Sequence, residues 1–170
     1  MLYGIINYRK VVRKLYLISH QISHQKEVVE VKKILCVCYG NTCRSPMLQA
    51  LLSRELKSRG VGAVVESAGV LDETGSPANE KAIISMKEMG LDITGHSSRG
   101  ISNLDLSVYD KIVCLADMAK SLLIDRGASP EKIEIVEIDN PYRKDLEAYR
   151  ACAKVLARAA TVLAEKIVNP

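Results

Sequence analysis

The stretch Val31-Lys32-Lys33-Ile34-Leu35-Cys36-Val37-Cys38-Tyr39-Gly40-Asn41-Thr42-Cys43-Arg44-Ser45-Pro46 decides how the rest of the chain is read. Its first half is a short apolar run that ends at a glycine-containing turn, the pattern of a buried strand. Directly after it, Met47, Leu48, Leu51, Leu52 and Leu56 recur at helical spacing. A cysteine therefore closes a strand, an arginine follows six positions later, and a helix begins at once. The first N–H groups of a helix lack intrahelical partners, and the helix dipole adds partial positive charge there. Such a turn seats a tetrahedral oxyanion. A helix N-terminus with a nearby cation also favours the thiolate form of a cysteine. One loop thus combines a nucleophile with a phosphate cradle.

Each residue of the turn has a chemical use. Cys38 is the candidate nucleophile, and Arg44 offers a planar fork that holds two phosphoryl oxygens. Gly40 allows positive φ and close approach of backbone to an anion. Asn41 tolerates the left-handed region and can tie the loop to itself. Ser45 can donate to the thiolate. Pro46 stands where a first-turn proline is tolerated.

The remaining sequence sets limits. With 170 residues and 48% hydrophobic content the chain is long enough for one domain with a full core. Phe and Trp are absent, so that core is aliphatic. No segment is long and apolar enough to span a bilayer. Most of the net charge of +4 falls in residues 1–30, through Arg9, Lys10, Arg13, Lys14 and Lys26 against Glu27 and Glu30. The body is nearly neutral, which argues against a nucleic-acid partner. Cys36, Cys38, Cys43, Cys114 and Cys152 form an odd set with no zinc spacing, so a disulfide framework is not expected and a reducing cytoplasm fits. Residues 1–30 are a basic extension whose role stays open: a disordered segment, a presequence, an added surface helix and an upstream start codon are all consistent with it. His20 and His24 are four apart, but with no acidic or thiol partner nearby they read as solvated.

Beyond the opening strand and helix, residues 61–66 predict a second strand followed by Ser67-Ala68-Gly69, and 78–89 a helix stopped by Gly90. Residues 110–116 predict a third strand, with Asp117 capping a helix to Asp125. Residues 132–138 predict a fourth, and a long helix begins near Arg143. Alternation of short apolar strands with helices predicts an α/β fold, a flavodoxin-like three-layer sandwich with a four-stranded parallel sheet over residues 31–170. In such sheets ligands bind beyond the carboxyl ends of the strands, which brings Cys38 and the Asp139-Asn140 loop to one edge.

At these residues a resemblance emerges. Val37-Cys38-Tyr39-Gly40-Asn41-Thr42-Cys43-Arg44-Ser45-Pro46 resembles the signature of low-molecular-weight protein tyrosine phosphatases. Ser67-Ala68-Gly69, Gly90-Leu91-Asp92-Ile93-Thr94-Gly95-His96 and Tyr109-Asp110-Lys111-Ile112-Val113 match stretches of that family in order. The resemblance covers about residues 31–168. It implies a phosphoprotein substrate, no metal or other cofactor, and a phosphocysteine intermediate, with Cys38 as nucleophile and Arg44 as transition-state clamp. Tyr39, Gly40, Asn41, Thr42, Cys43, Ser45 and Tyr142 are the expected substrate-binding residues, and His96 a polar-network residue on a loop. A monomer is expected.

Two departures from the family pattern bear on function. The general-acid aspartate stands directly before a proline in the family; here Asn140 precedes Pro141, with the aromatic Tyr142 after it. Asp139 is the substitute acid expected, and Asp145 a more remote one. Failing these, the chain is a weakly active phosphatase or a non-catalytic phosphate-binding module. The second departure is Thr42, which resembles protein-arginine phosphatases. Tyr39 and Tyr142 favour phosphotyrosine instead, because aromatic walls suit a phenyl ring. The resemblance also suggests a Cys38–Cys43 disulfide under oxidation; a purely structural Cys43 is the other reading. An arsenate reductase fits poorly, since Cys114 falls in a strand and Cys152 in the last helix. A sugar-transport phosphocarrier does not account for Arg44.

Overall fold

The computed structural model describes residues 31–116 and 119–169. Expectations for residues 1–30, and Asp117 as a helix cap, lie outside the described residues.

The apolar run at the start forms β1, Lys32–Cys38, with everything from Ile34 to Cys38 buried. It lies inside a four-stranded parallel sheet of order β2-β1-β3-β4, where β2 is Ala63–Gly69, β3 is Lys111–Cys114 and β4 is Ile133–Ile135. Successive strand residues point to opposite faces, and both faces are covered. Ile34, Cys36 and Cys38 pack beneath α1, Arg44–Ser58, α2, Glu80–Glu88, and α4, Leu146–Val168. Leu35 and Val37 face the other way, toward Ile101, Leu106, Tyr109 and the buried residues Ala119 and Leu123 of α3, Ala119–Asp125. This is the expected three-layer sandwich. Met47, Leu48, Leu51, Leu52 and Leu56 of α1 are all within 1% of complete burial, each contributing about 1.5–3 kcal/mol of apolar transfer.

Several boundaries moved for identifiable reasons. Ser67-Ala68-Gly69, expected after β2, belongs to it, because these residues pair in register with Cys36, Val37 and Cys38. Helix α1 starts at Arg44, so the arginine stands in its first turn. Helix α2 starts two residues later than expected, with the Asn79 side chain accepting from Lys81 N–H. Strand β4 is only three residues long, although Val136 N–H still bonds to Cys114 O. The last helix cannot begin at Arg143, whose φ is +64°; it begins at Leu146, capped by Asp145. The Asp145 carboxylate accepts from Ala148 N–H at 2.9 Å, which gives it a structural task.

Candidate active site

β1 delivers Cys38 to the carboxyl edge of the sheet between the end of β2 and the end of β3. The chain then turns through Tyr39–Thr42 into α1, whose N-terminus carries no side-chain cap. Asn41, rather than Gly40, takes the left-handed conformation, at φ +52°. Gly40 instead leaves open space: a Cβ there would meet only Thr42 Oγ1, at 4.0 Å.

Asn41 is fully buried and its amide organises the loop. Nδ2 donates to Ser45 Oγ at 2.8 Å and to Ser67 Oγ at 2.9 Å, while Oδ1 accepts from Arg99 N–H at 3.0 Å. Ser67 in turn donates to Gln49 Oε1. Because Ser45 Oγ accepts from Asn41, its own hydrogen is free for Cys38 Sγ at 3.0 Å; the alternative acceptor, Ala68 O, is 3.5 Å away. Once Cys38 is a thiolate it can only accept, so Ser45 is the donor. On the other side His96 Nε2–H donates to Asn41 O at 2.6 Å. Burial pulls the His96 pKa below its ordinary value, against the pull of that bond, and Arg99 adds to the fall.

Arg44 is 5% exposed. Its Nη1 donates to Leu115 O at 2.9 Å and Ile138 O at 3.0 Å, which uses both hydrogens of that nitrogen. Its Nε–H is buried without a partner, a rare state that costs about 1–3 kcal/mol or more for a charged donor. The unpaired edge of the guanidinium is a two-point seat for an oxyanion.

A cleft of about 630 Å³ opens over this loop, lined by Cys38, Tyr39, Gly40, Thr42, Cys43, Arg44, Asn140 and Tyr142 among others. A second cleft holds Arg44, Tyr39 and Asn140 again, now with Asp139. The structure thus gathers all the expected site residues around one loop, but Asn140, not Asp139, lines the cleft that contains Cys38. Asn140 Oδ1 accepts from Tyr142 N–H at 3.3 Å. Cys43 Sγ lies 3.2 Å from the hydroxyl of the buried Tyr149. Burial pushes the thiols of Cys36, Cys43 and Cys152 up, Cys152 to about 11, so these three stay protonated near neutrality. Among the described residues no group of acids, thiols and imidazoles could hold a metal ion.

Four supporting residues were not foreseen as parts of the site: Ser67, Gln49, Arg99 and Tyr149. Arg99 Nε–H donates to Ser67 O at 2.9 Å, and its Nη2 pairs with Glu66 at 3.0 Å. Glu66 also accepts from Tyr109 OH at 2.7 Å. Burial raises Glu66, but Tyr109 and Arg99 outweigh it and hold the carboxyl below its usual range. Burial and Glu66 push Tyr109 up to about 12. Ser67 and Tyr109 fall within stretches already marked by the family resemblance; the partners of Arg99 and Tyr149 are long-range and have no local signature.

A thiol at the end of a strand, a buried arginine and a helix N-terminus define a cysteine-dependent phosphatase. Comparison with known proteins agrees. Residues 33–169 match the family described as low molecular weight phosphotyrosine protein phosphatase. The low molecular weight protein-tyrosine-phosphatase Wzb of Escherichia coli K12 is 35% identical over 145 residues, 79% of this chain and 94% of the relative. The protein-arginine-phosphatase of Geobacillus stearothermophilus is 30% identical over 79% of this chain and 95% of its own. The structure of Vibrio vulnificus Wzb in complex with benzylphosphonate superposes with a TM-score of 0.72 at 30% identity, over 79% of this chain and 98% of the other. The chain belongs to the low molecular weight phosphotyrosine protein phosphatase family. No helix of the described residues is long and apolar enough to cross a membrane.

Proposed function

We propose that this chain hydrolyses phosphotyrosine in proteins in two steps through Cys38. The Cys38 thiolate attacks phosphorus, an S–P bond forms, and the P–O bond to the tyrosine breaks. A proton passes to the leaving phenolic oxygen. Water then cleaves the S–P bond, releasing inorganic phosphate and restoring the thiolate, to which Ser45 donates. The observation that carries the reading is Arg44: one nitrogen fixed by two carbonyls, and a buried, unpaired Nε–H beside the nucleophile. Tyr39 and Tyr142 line the cleft and provide flat walls for a phenyl ring. Hydrolysis of p-nitrophenyl phosphate by wild type, with loss of turnover in Cys38→Ser, is the expected result. No turnover by wild type while phosphate or vanadate still binds would leave a phosphate-binding module instead.

For the proton we propose Asp139, which shares a cleft with Arg44 and Tyr39. Asn140 cannot transfer a proton as a carboxylic acid does, and general acid catalysis contributes about 10²–10⁴-fold. Asp139→Ala should slow phenyl phosphate much more than p-nitrophenyl phosphate, whose leaving group needs little help. Asn140→Asp should raise turnover of poor leaving groups. Equal rates in Asp139→Ala and wild type on phenyl phosphate would remove Asp139 from the role.

A second reading, phosphoarginine as substrate, rests on Thr42, which lines the same cleft, and on the similarity to the Geobacillus arginine phosphatase. Phosphotyrosine and phosphoarginine peptides compared in wild type and Thr42→Ile decide between them. A preference for phosphoarginine that Thr42→Ile abolishes would favour this reading over the first.

A further inference from the structure

We infer that the catalytic cleft continues into an arm that selects phosphoprotein segments carrying an aliphatic residue and a lysine or arginine near the phosphorylated position. The inference rests on the phosphatase reading for the location of the phosphoryl group, and its charge and shape come from residues that the reaction does not use.

The cleft is larger than one phosphorylated side chain requires, and at about 630 Å³ it lies within the range of sites that hold much larger ligands. Its lining also includes Leu71, Pro77 and Ile83 together with Glu73 and Glu80. Leu71 is fixed by its N–H bond to Tyr39 O, yet its side chain is 51% exposed, an apolar group offered beside the nucleophile. Glu80 and Ile83 are three apart on α2 and so share a face. Glu73 is held by its backbone: its carbonyl accepts from Ser98 Oγ, and Gly75 N–H donates to Ser98 O.

The charges point to the partner. Asp72 pairs with Arg126 and Glu88 with Arg150. Among the described residues, neither the Glu73 nor the Glu80 side chain makes a hydrogen bond or an ion pair, and the only lysine or arginine lining the cleft is Arg44. Arg143 stands over the Tyr142 ring at 5.4 Å, and Lys81 donates to Lys144 O. Two unpaired carboxylates lining the same cleft as an oxyanion seat repel a bare phosphate dianion, an effect that salt screens. A cation on the substrate cancels that repulsion and pairs with them. The buried, unpaired Nε–H of Arg44, in a residue lining the same cleft, gives the phosphoryl end of such a segment its seat.

The test is equilibrium titration of the full chain with non-hydrolysable phosphonomethyl-phenylalanine peptides. One carries leucine and two lysines beside the analogue, one leucine and two glutamates, one serine and two lysines. Exposed pairs contribute up to about fivefold each, so the leucine–lysine peptide should bind about five- to twentyfold tighter than the leucine–glutamate peptide at 50 mM NaCl. The gap should close to about twofold in 0.5 M NaCl and in Glu73→Gln/Glu80→Gln, and the serine peptide should bind more weakly. Equal affinity of the lysine and glutamate peptides, or a gap untouched by salt, overturns the inference. Turnover of p-nitrophenyl phosphate in the same samples separates the two claims: turnover without the gap removes only the selectivity, and the gap without turnover removes only the phosphatase reading.

Discussion

Replacing Gly69 by alanine should disable the enzyme although Gly69 itself does not line the cleft. Gly69 ends β2 in register with Cys38. A Cβ built there would lie 2.6 Å from Tyr39 O, 3.0 Å from Asn41 N and 3.1 Å from the Gly40 carbonyl carbon. All three are backbone atoms of the phosphate loop, so no side chain can swing aside. Relief requires the loop or the strand end to retreat by roughly 0.8 Å to reach ordinary contact. A displacement of about 1 Å in a catalytic constellation costs about 10²-fold in rate. Overpacking of this kind costs about 1–3 kcal/mol, and for a chain of this size each kcal/mol lowers Tm by about 2–4 °C. The assay is kcat/KM for p-nitrophenyl phosphate beside a thermal melt, with Gly95→Ala as the control, since nothing lies within 4 Å of a Cβ there. A Gly69→Ala enzyme within threefold of wild type would refute the idea that the strand end sets the position of the loop.

Arg99→Met keeps the backbone N–H to Asn41 but loses the contacts to Ser67 O and Glu66; kcat should fall by about tenfold with KM little changed, because the loop is loosened rather than the substrate contact removed. His96, held neutral by burial, should make the protein less stable as pH falls below about 6.5, because the unfolded chain then binds a proton that the folded one does not. Urea midpoints at pH 7.5 and 5.5 should therefore differ more for wild type than for His96→Gln; equal pH dependence would contradict it. Tyr149→Phe removes the hydroxyl bonded to Cys43, which should cost about 1 kcal/mol, and a double-mutant cycle with Cys43→Ala should recover most of that as coupling.

Much of this was legible because it is local. The apolar run into Cys38, the turn and the apolar spacing of α1 sit within one continuous stretch, and each obeys a period or a cap. The fold class followed from that alternation. What escaped was non-local or decided by pairing. Ser67-Ala68-Gly69 looks like a loop by composition, yet its backbone is claimed by β1. Gly40 and Asn41 could each have taken the left-handed region, and only the long-range bonds of the Asn41 amide, to Ser45, Ser67 and Arg99 N–H, decide that Asn41 does. The start of α4 was misplaced because the apolar spacing runs back past Asp145, while the positive φ of Arg143 has no compositional mark. Asp139 and Asn140 are neighbours in sequence, and only the path of the chain after β4 shows which of them lines the cysteine cleft.

The two carbonyl bonds of Arg44 make residue 44 inseparable from residues 138–142 in any mutational series. One nitrogen joins the strand end at Leu115 to the loop at Ile138, and the opposite edge of the same group remains for the phosphoryl oxygens. A lysine, with a single ammonium on a flexible stem, cannot serve both sides. Substitution at 44 therefore releases the loop carrying Asp139 and Asn140 at the same moment as it weakens anion binding. Activity should respond to residue 44 as a step rather than a slope. A laboratory lineage selected for substrates of lower charge would have to change the 138–142 loop first and the arginine afterwards.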